Sequence, residues 1–433
     1  MAQWFHRNPF KATTAVNFLL TTGGNPETCK FCGELKLTRK RLLELLVDPN
    51  QASSTIEELY KIYLALLSGF LFEVDEKEKI NESPSKLRHC FLFKWTHTLL
   101  GNVPQSVQDA VYEAASISVN IAVWHMKHAA MIAAKDEVSV EQAKEIHSEL
   151  KLAASIFKFV EDIFLPKFIG KPLSGSDFDS RVLKAYLNQC IAEAQEGKLT
   201  FARAVELKHN PNLISAIANE NSKRFLTAFT SLDNSKAASQ WKTYLKLKST
   251  IYLAYAYCFL GENLLSQDKC GEAIKALQES KKYHSEALIW CNEYSKIKHA
   301  SSKIKPESHL FFRRLSFIIN LSLDKCEREN SLIYHQRIPN EVPVLDSQCN
   351  FGIVSPEQLS YPEQSSLWTP SFYATFPCKN IKREELTISV CIKVELITYY
   401  GMKNLNVENM PMNDKEWISK YYLITYYSKK VIE

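Results

Sequence analysis

Glycine is scarce in this chain, with 12 in 433 residues, where average usage would supply roughly thirty. Sandwiches, barrels and dinucleotide-binding sheets consume glycine in their turns and phosphate loops, so a shortage of this size disfavours them. Long runs rich in Ala, Leu, Lys, Glu and Ser point instead to an all-α protein. The chain is long enough for one large or two ordinary domains with a substantial core.

The helical reading extends from about Leu35 to about Asn330. An apolar-periodic stretch from Val107 to Ala134 follows Pro104, Gln105 and Ser106, which read as a helix start. Lys135 and Asp136 close that stretch, and Ser139 with Gln142 forms a capping-box pattern for the next helix, which continues to Pro166. A third helix runs from near Asp177 to Gly197, and Pro211 opens a fourth. Helices of roughly 20 to 30 residues joined by short turns predict an elongated helical array. Within it, Tyr257, Gly261, Leu264, Ala273 and Leu277 match the spacing of one tetratricopeptide repeat, in which Gly261 and Ala273 let two helices cross closely. Gly271 marks its turn. One repeat cannot stand alone, so the pair belongs to a larger solenoid.

After Asn330 the pattern changes. Six of the 16 prolines lie between Pro339 and Pro377, which forbids a long helix. Tyr334, Val344, Phe351, Tyr361, Trp368, Phe372 and Phe376 make this stretch too apolar for a free linker. An extended strap across the array, over about residues 330–380, is expected. From Lys382 onward Val390, Ile392, Val394, Ile397, Tyr399 and Tyr400 suggest strands in a tail of separate character, residues 381–433.

Charge and motifs exclude several functions. The 53 basic and 48 acidic residues give a net charge of +5, and the two signs alternate without forming a nucleic-acid footprint. No run of about eighteen apolar residues predicts a membrane span. Trp4, His6, Arg7 and Asn8 interrupt any secretory h-region, and Ala2 stands where myristoylation needs glycine. Eleven scattered cysteines fit a reducing, cytoplasmic setting. Cys29 and Cys32 form a Cys-x-x-Cys pair without a second zinc-ligand pair or a redox-fold context. His125 and His128 could share a metal at i, i+3 spacing, but no acidic third ligand stands on that face of their helix. Hydrolase, nucleotide-binding and zinc-peptidase motifs are absent. The expectation is therefore no enzyme, no metal, no cofactor, no small-molecule substrate and no nucleic acid.

The helix after Pro211 is the informative one. Projected at about 100° per residue, Ile214, Ala218, Phe225 and Phe229 share a core stripe. Leu213 and Ile217 fall beside it, rimmed by Glu220, Asn221 and Arg224. An apolar i, i+4 pair with a polar rim suits docking of an amphipathic helix. Contact with a neighbouring helix of the solenoid explains the same pattern equally well.

Several ordered stretches resemble the Bro-one domain family, to which Alix belongs. They are Trp4-Phe5-His6-Arg7-Asn8-Pro9 with Lys11-Ala12-Thr13, Phe93-Lys94-Trp95-Thr96, Ala192-Glu193-Ala194-Gln195-Glu196 and Ala202-Arg203-Ala204 with Glu206-Leu207-Lys208-His209. Ala254-Tyr255-Ala256-Tyr257-Cys258, Asp268-Lys269-Cys270-Gly271-Glu272-Ala273-Ile274 and His309-Leu310-Phe311-Phe312-Arg313 continue the likeness, which covers about residues 1–380. The resemblance implies a boomerang-shaped helical solenoid with a tetratricopeptide-like core. It also implies a non-enzymatic adaptor whose concave face binds the C-terminal amphipathic helix of an ESCRT-III subunit, charged multivesicular body protein 4. In Alix two aliphatic residues one turn apart carry that contact, and they correspond to Leu213 and Ile217. Lys144 corresponds to a basic contact, and Thr200 or Phe201 to an aromatic one. Tyr334, in Leu332-Ile333-Tyr334, corresponds to a strap tyrosine that is phosphorylated in Alix and lies near a second ESCRT-III tail site in another member. Ring burial that anchors the strap is the competing role for Tyr334. One branch of the family is expected to end in a prenylation motif, but Lys430-Val431-Ile432-Glu433 lacks the cysteine that chemistry needs. Recruitment to endosomal or nuclear-envelope membranes would then be peripheral. A scaffold that binds membranes through its shape and basic surface is the alternative function.

Overall fold

A computed structural model describes residues 5–21, 24–74, 83–134, 138–201, 210–296, 305–345 and 354–376, with only the helical backbone for 197–201. The strand-like tail beyond Lys382, the stretch 202–209, Lys135, Asp136 and Phe351 fall outside the described residues. Helices α1 (Pro26–Leu45) and α2 (Ser53–Leu71) precede a two-stranded antiparallel hairpin, β1 (Phe93–His97) and β2 (Gly101–Val107). Then follow α3 (Ala110–Ala133), α4 (Val140–Phe159), α5 (Ser180–Phe201), α6 (Pro211–Ser231), α7 (Ser239–Leu265), α8 (Cys270–Lys296) and α9 (Leu310–Glu329). From α3 to α8 each helix packs on the next, and α9 packs on α8 and α7.

The helix starts show why the chain breaks where it does. Ser139 accepts from the Gln142 backbone N–H at 3.2 Å while the Gln142 side chain accepts from the Ser139 N–H at 3.1 Å, so the capping box opens α4. Pro211 takes the first position of α6, and the Asn210 side chain accepts from Leu213 N–H at 3.1 Å. The start expected at Pro104 is displaced. Pro104 lies in β2, where Gln105 and Ser106 pair with Trp95 and Lys94. The actual cap is Asp109, whose carboxylate accepts from Val111 N–H at 2.8 Å and holds the Arg88 guanidinium at 2.7 and 2.8 Å. Proline tolerates either setting, so only a side-chain acceptor could mark the true boundary.

Helix α3 is buried on nearly every face. Its Glu113 carboxylate is fully buried and accepts from Arg39 Nε at 2.7 Å, Tyr63 at 2.9 Å and Trp95 Nε1 at 2.6 Å. Such a charge is tolerable inside only because each oxygen is occupied. On α7 and α8, Gly261 supports the repeat reading, since a Cβ there would lie 2.6 Å from Leu277. Tyr257 instead lies partly buried beside α8, stacked on Tyr283 with centroids 5.7 Å apart.

The strap returns from the end of α9 to the start of the array. Val354 N–H donates to Gln195 of α5 at 3.0 Å, and Glu357 N–H to Ser155 of α4 at 2.8 Å. Tyr361, Ser365 and Trp368 then donate to the carbonyls of Leu64, Ala65 and Leu66 near the end of α2. Trp368 lies on Gly69 among Phe31, Phe70, Phe372 and Phe376, next to the short helix α10 (Pro370–Ala374). A Cβ at Gly69 would stand 2.4 Å from the indole ring. Gly69→Ala should therefore lower stability by about 1–3 kcal/mol despite alanine's better helix propensity. Equilibrium urea unfolding measures the loss, and limited proteolysis should show faster cleavage within 354–376.

Candidate functional site

Leu213, Ile217, Lys144, Thr200 and Phe201 come from three successive helices, α6, α4 and α5, with α5 packed between the other two. Lys144 stands exposed in the first turns of α4. One turn further, His147 Nδ1 donates to the Ala194 carbonyl of α5 at 3.0 Å and fixes that end of α4 on α5. Thr200 and Phe201 are the last residues of α5, and their side chains are outside the described part. On α6, Leu213 is partly buried against the core.

Ile217 corrects the expected exposed pair, since only 6% of its surface is accessible and it belongs to the core cluster. The projection contains the reason. Ile217 lies between Leu213 and the Ile214–Ala218–Phe225 stripe, so the helix turns it toward its neighbours. Leu213 is the more accessible member of the pair. Glu220 and Arg224 form the rim with a 3.0 Å ion pair one turn apart.

A buried polar network that motif reading did not identify ties α5 to the N-terminal segment and to α7. The N-terminal segment threads beneath α3, α5 and α7. Arg7 pairs with Glu193 of α5 at 2.7 Å and donates to the Met126 carbonyl of α3 at 2.6 Å. Tyr244 of α7 donates to Glu193 at 2.6 Å, and Lys248 of α7 meets both Glu196 oxygens at 2.9 Å. Burial pushes the Lys248 ammonium down to about 8, against the pull of Glu196. Further along, Lys11 lies 3.5 Å from Asp177. Burial would raise the Asp177 carboxyl, but Lys11, His97 and Thr98 hold it far below the usual carboxylate range. The available signal was the unusual density of charged and aromatic residues in the stretches that carry the family resemblance.

The other candidates separate from this surface. Tyr334 ends the turn after α9, with its ring against the core and its hydroxyl donating to Asp268 Oδ1 at 2.9 Å. That hydrogen bond raises the phenol above its ordinary value. Gln336 closes the same joint by donating to the Asp268 carbonyl and accepting from Gly271 N–H. His125 Nδ1 lies 2.5 Å from Glu149 of α4, and His128 donates to the Pro49 carbonyl at 2.6 Å. An acidic partner therefore does face the histidine pair, supplied by the next helix, and it pins α3 to α4. Cys32 is fully buried, which pushes its thiol up to about 12, the reverse of a reactive thiolate. Among the described residues, no group of three or more His, Cys, Asp or Glu side chains could hold a metal, and no helix is long and apolar enough to cross a membrane.

A family model described as BRO1-like domain matches residues 18–377. The human BRO1 domain-containing protein BROX is 44% identical over 381 residues, spanning 87% of this chain and 91% of that protein. A BROX homolog of Caenorhabditis elegans is 35% identical over 422 residues, spanning 95% and 98%. A structure described as "ALIX BRO1 CHMP4C complex" is similar at TM-score 0.61 and 18% identity, over 84% of this chain and 98% of that one. Another, "Structure basis for endosomal targeting by the Bro1 domain", is similar at TM-score 0.60 and 18% identity, over 91% and 98%. At that identity what is shared is the helical, boomerang-shaped fold.

Glu193→Gln leaves the Arg7 charge buried without a carboxylate and should cost about 3–5 kcal/mol in urea unfolding, and an Arg7→Met/Glu193→Met pair should recover much of it. Burial also pushes the His6 imidazole down from 6.5 to about 4. Between those values the unfolded chain binds more protons, so this contribution is lost as pH falls through the window, by up to about 1.4 kcal/mol per pH unit. The melting temperature of His6→Gln should depend less steeply on pH there.

Proposed function

The chain belongs to the BRO1-like domain family, and on that premise we propose that it is an adaptor whose α4–α5–α6 surface seats an ESCRT-III tail. The occupant is the C-terminal amphipathic helix of a subunit of the charged multivesicular body protein 4 type. The observation that carries this reading is the half-buried Leu213 on α6, with exposed Lys144 two helices away on α4. A description of the Alix domain in complex with CHMP4C supports it at the level of the family. The working unit is residues 1–380, and the polymer draws it from the cytoplasm to endosomal or nuclear-envelope membranes.

In this mechanism the partner helix lays an apolar ridge on Leu213, with Ile217 as firm backing, while Lys144 pairs with an acidic group of the tail. Full burial of one leucine contributes about 1.5–3 kcal/mol, and Leu213 begins half-buried, so the apolar gain is smaller still. Association and ordering costs subtract from it. Affinity is therefore modest for one tail and rises by avidity on a polymer that presents many. Thr200 and Phe201, the last residues of α5, are assigned to the same contact, and Tyr334 acts at the separate α7–α8 joint, where it holds the strap.

The test is titration of the purified chain with a fluorescent peptide of the tail helix. Leu213→Asp should weaken binding at least tenfold with an unchanged melting temperature. Lys144→Glu should weaken it less and flatten its salt dependence. Ile217→Asp is expected to lower stability, so it cannot serve as a clean probe. Binding that survives Leu213→Asp intact would remove the assignment of the site.

A further inference from the structure

Helix α9 is apolar on two opposite faces, and the fold uses only one. Phe312, Leu315, Ile319, Leu323 and Cys326 are buried and pack it on the array. On the other side Phe317 and Leu321, one turn apart, are 68% and 59% exposed. Leu310 continues the exposed side two turns toward the N-terminus. Arg313 and Arg314 are exposed one turn before Phe317, and neither has an ion-pair partner among the described residues. No acidic residue occurs in α9 before Asp324.

We propose that this face of α9 is a contact surface for an anionic lipid bilayer. Phe317 and Leu321 enter the headgroup boundary, and Arg313 and Arg314 meet lipid phosphates. Leu213 is partly buried against the core and offers a partner only part of its surface. Phe317 and Leu321 protrude, and a bilayer closes around protruding side chains of any outline. Unpaired guanidinium groups beside an apolar tip are the complement of a negative lipid surface, whose potential falls off within a Debye length. The pair lies opposite the helix's own core stripe, so membrane contact leaves the packing of the array undisturbed.

The α9 face is separate from the peptide site proposed on α6. The experiment is co-sedimentation of the full chain with phosphatidylcholine vesicles, with and without phosphatidylserine. The chain should pellet with the anionic vesicles at low salt, be released at high salt, and stay soluble with phosphatidylcholine alone. Phe317→Ser/Leu321→Ser and Arg313→Gln/Arg314→Gln should each weaken partitioning by about tenfold or more, with unchanged melting temperatures. Leu213→Asp should pellet like the unaltered chain, which separates failure here from failure of the peptide site. Three results would overturn the proposal. These are no binding of the unaltered chain to anionic vesicles, equal binding by the two double variants, or a dimer in sedimentation equilibrium that becomes monomeric in Phe317→Ser/Leu321→Ser.

Discussion

The Arg7–Glu193 ion pair is the contact on which the rest of the arrangement depends. Both side chains are almost completely withdrawn from solvent, and a buried charge that loses its partner costs several kcal/mol. That penalty makes the pair a device for registration more than a source of net stability. Arg7 brings the N-terminal segment to α3 and α5, Glu193 also receives the Tyr244 hydroxyl of α7, and Glu196 holds Lys248 one turn on. Sliding α5 against α7 by one turn would strand two carboxylates and two cations together. The lock thereby fixes α5, the middle helix of the α4–α5–α6 surface, against α7 and the N-terminal segment.

What the sequence revealed, and what it concealed, follows from the range of the interactions. Local signals were legible. The Ser139–Gln142 box and the proline that opens α6 depend on residues a few positions apart, and the glycine that lets α7 meet α8 was legible only because it sits in a repeat spacing that runs on to Leu277. The β1–β2 hairpin was hidden because its strands are short and its proline reads equally well as a helix start. The cap that decides the matter, Asp109, is recruited by Arg88, 21 positions away. The histidine pair on α3 has an acidic partner because α4 comes back alongside, which periodicity within one helix cannot register. Ile217 shows the same limit at finer scale. An angle on a helical wheel places it beside the core stripe, but only the neighbouring helices decide that it is covered. The N-terminal charges were visible as part of a resemblance, while their burial was not.

The array carries two apolar surfaces of different kinds. Leu213 is already partly desolvated against the core, so little further apolar surface is left there for a partner to cover. On α9 the apolar side chains stand clear of the surface, where shape selects little and charge does the choosing. Since α6 and α9 belong to one packed array of helices, the two proposed contacts, one with a protein helix and one with a lipid surface, need no hinge between them.

A stack of helices that touch only their neighbours behaves as a one-dimensional chain and can fray from either end. The strap changes that topology. By running from the end of α9 over α5 and α4 to the aromatic cluster of α1 and α2, it ties the last element of the stack to the first. Loss of an end helix then also loosens contacts at the far end, so fraying at one terminus is no longer a local event. A force along the solenoid would first have to strip the strap from α2. The indole of Trp368 seated on Gly69 thus turns an open row of helices into a belted one, with the cooperativity of a closed body.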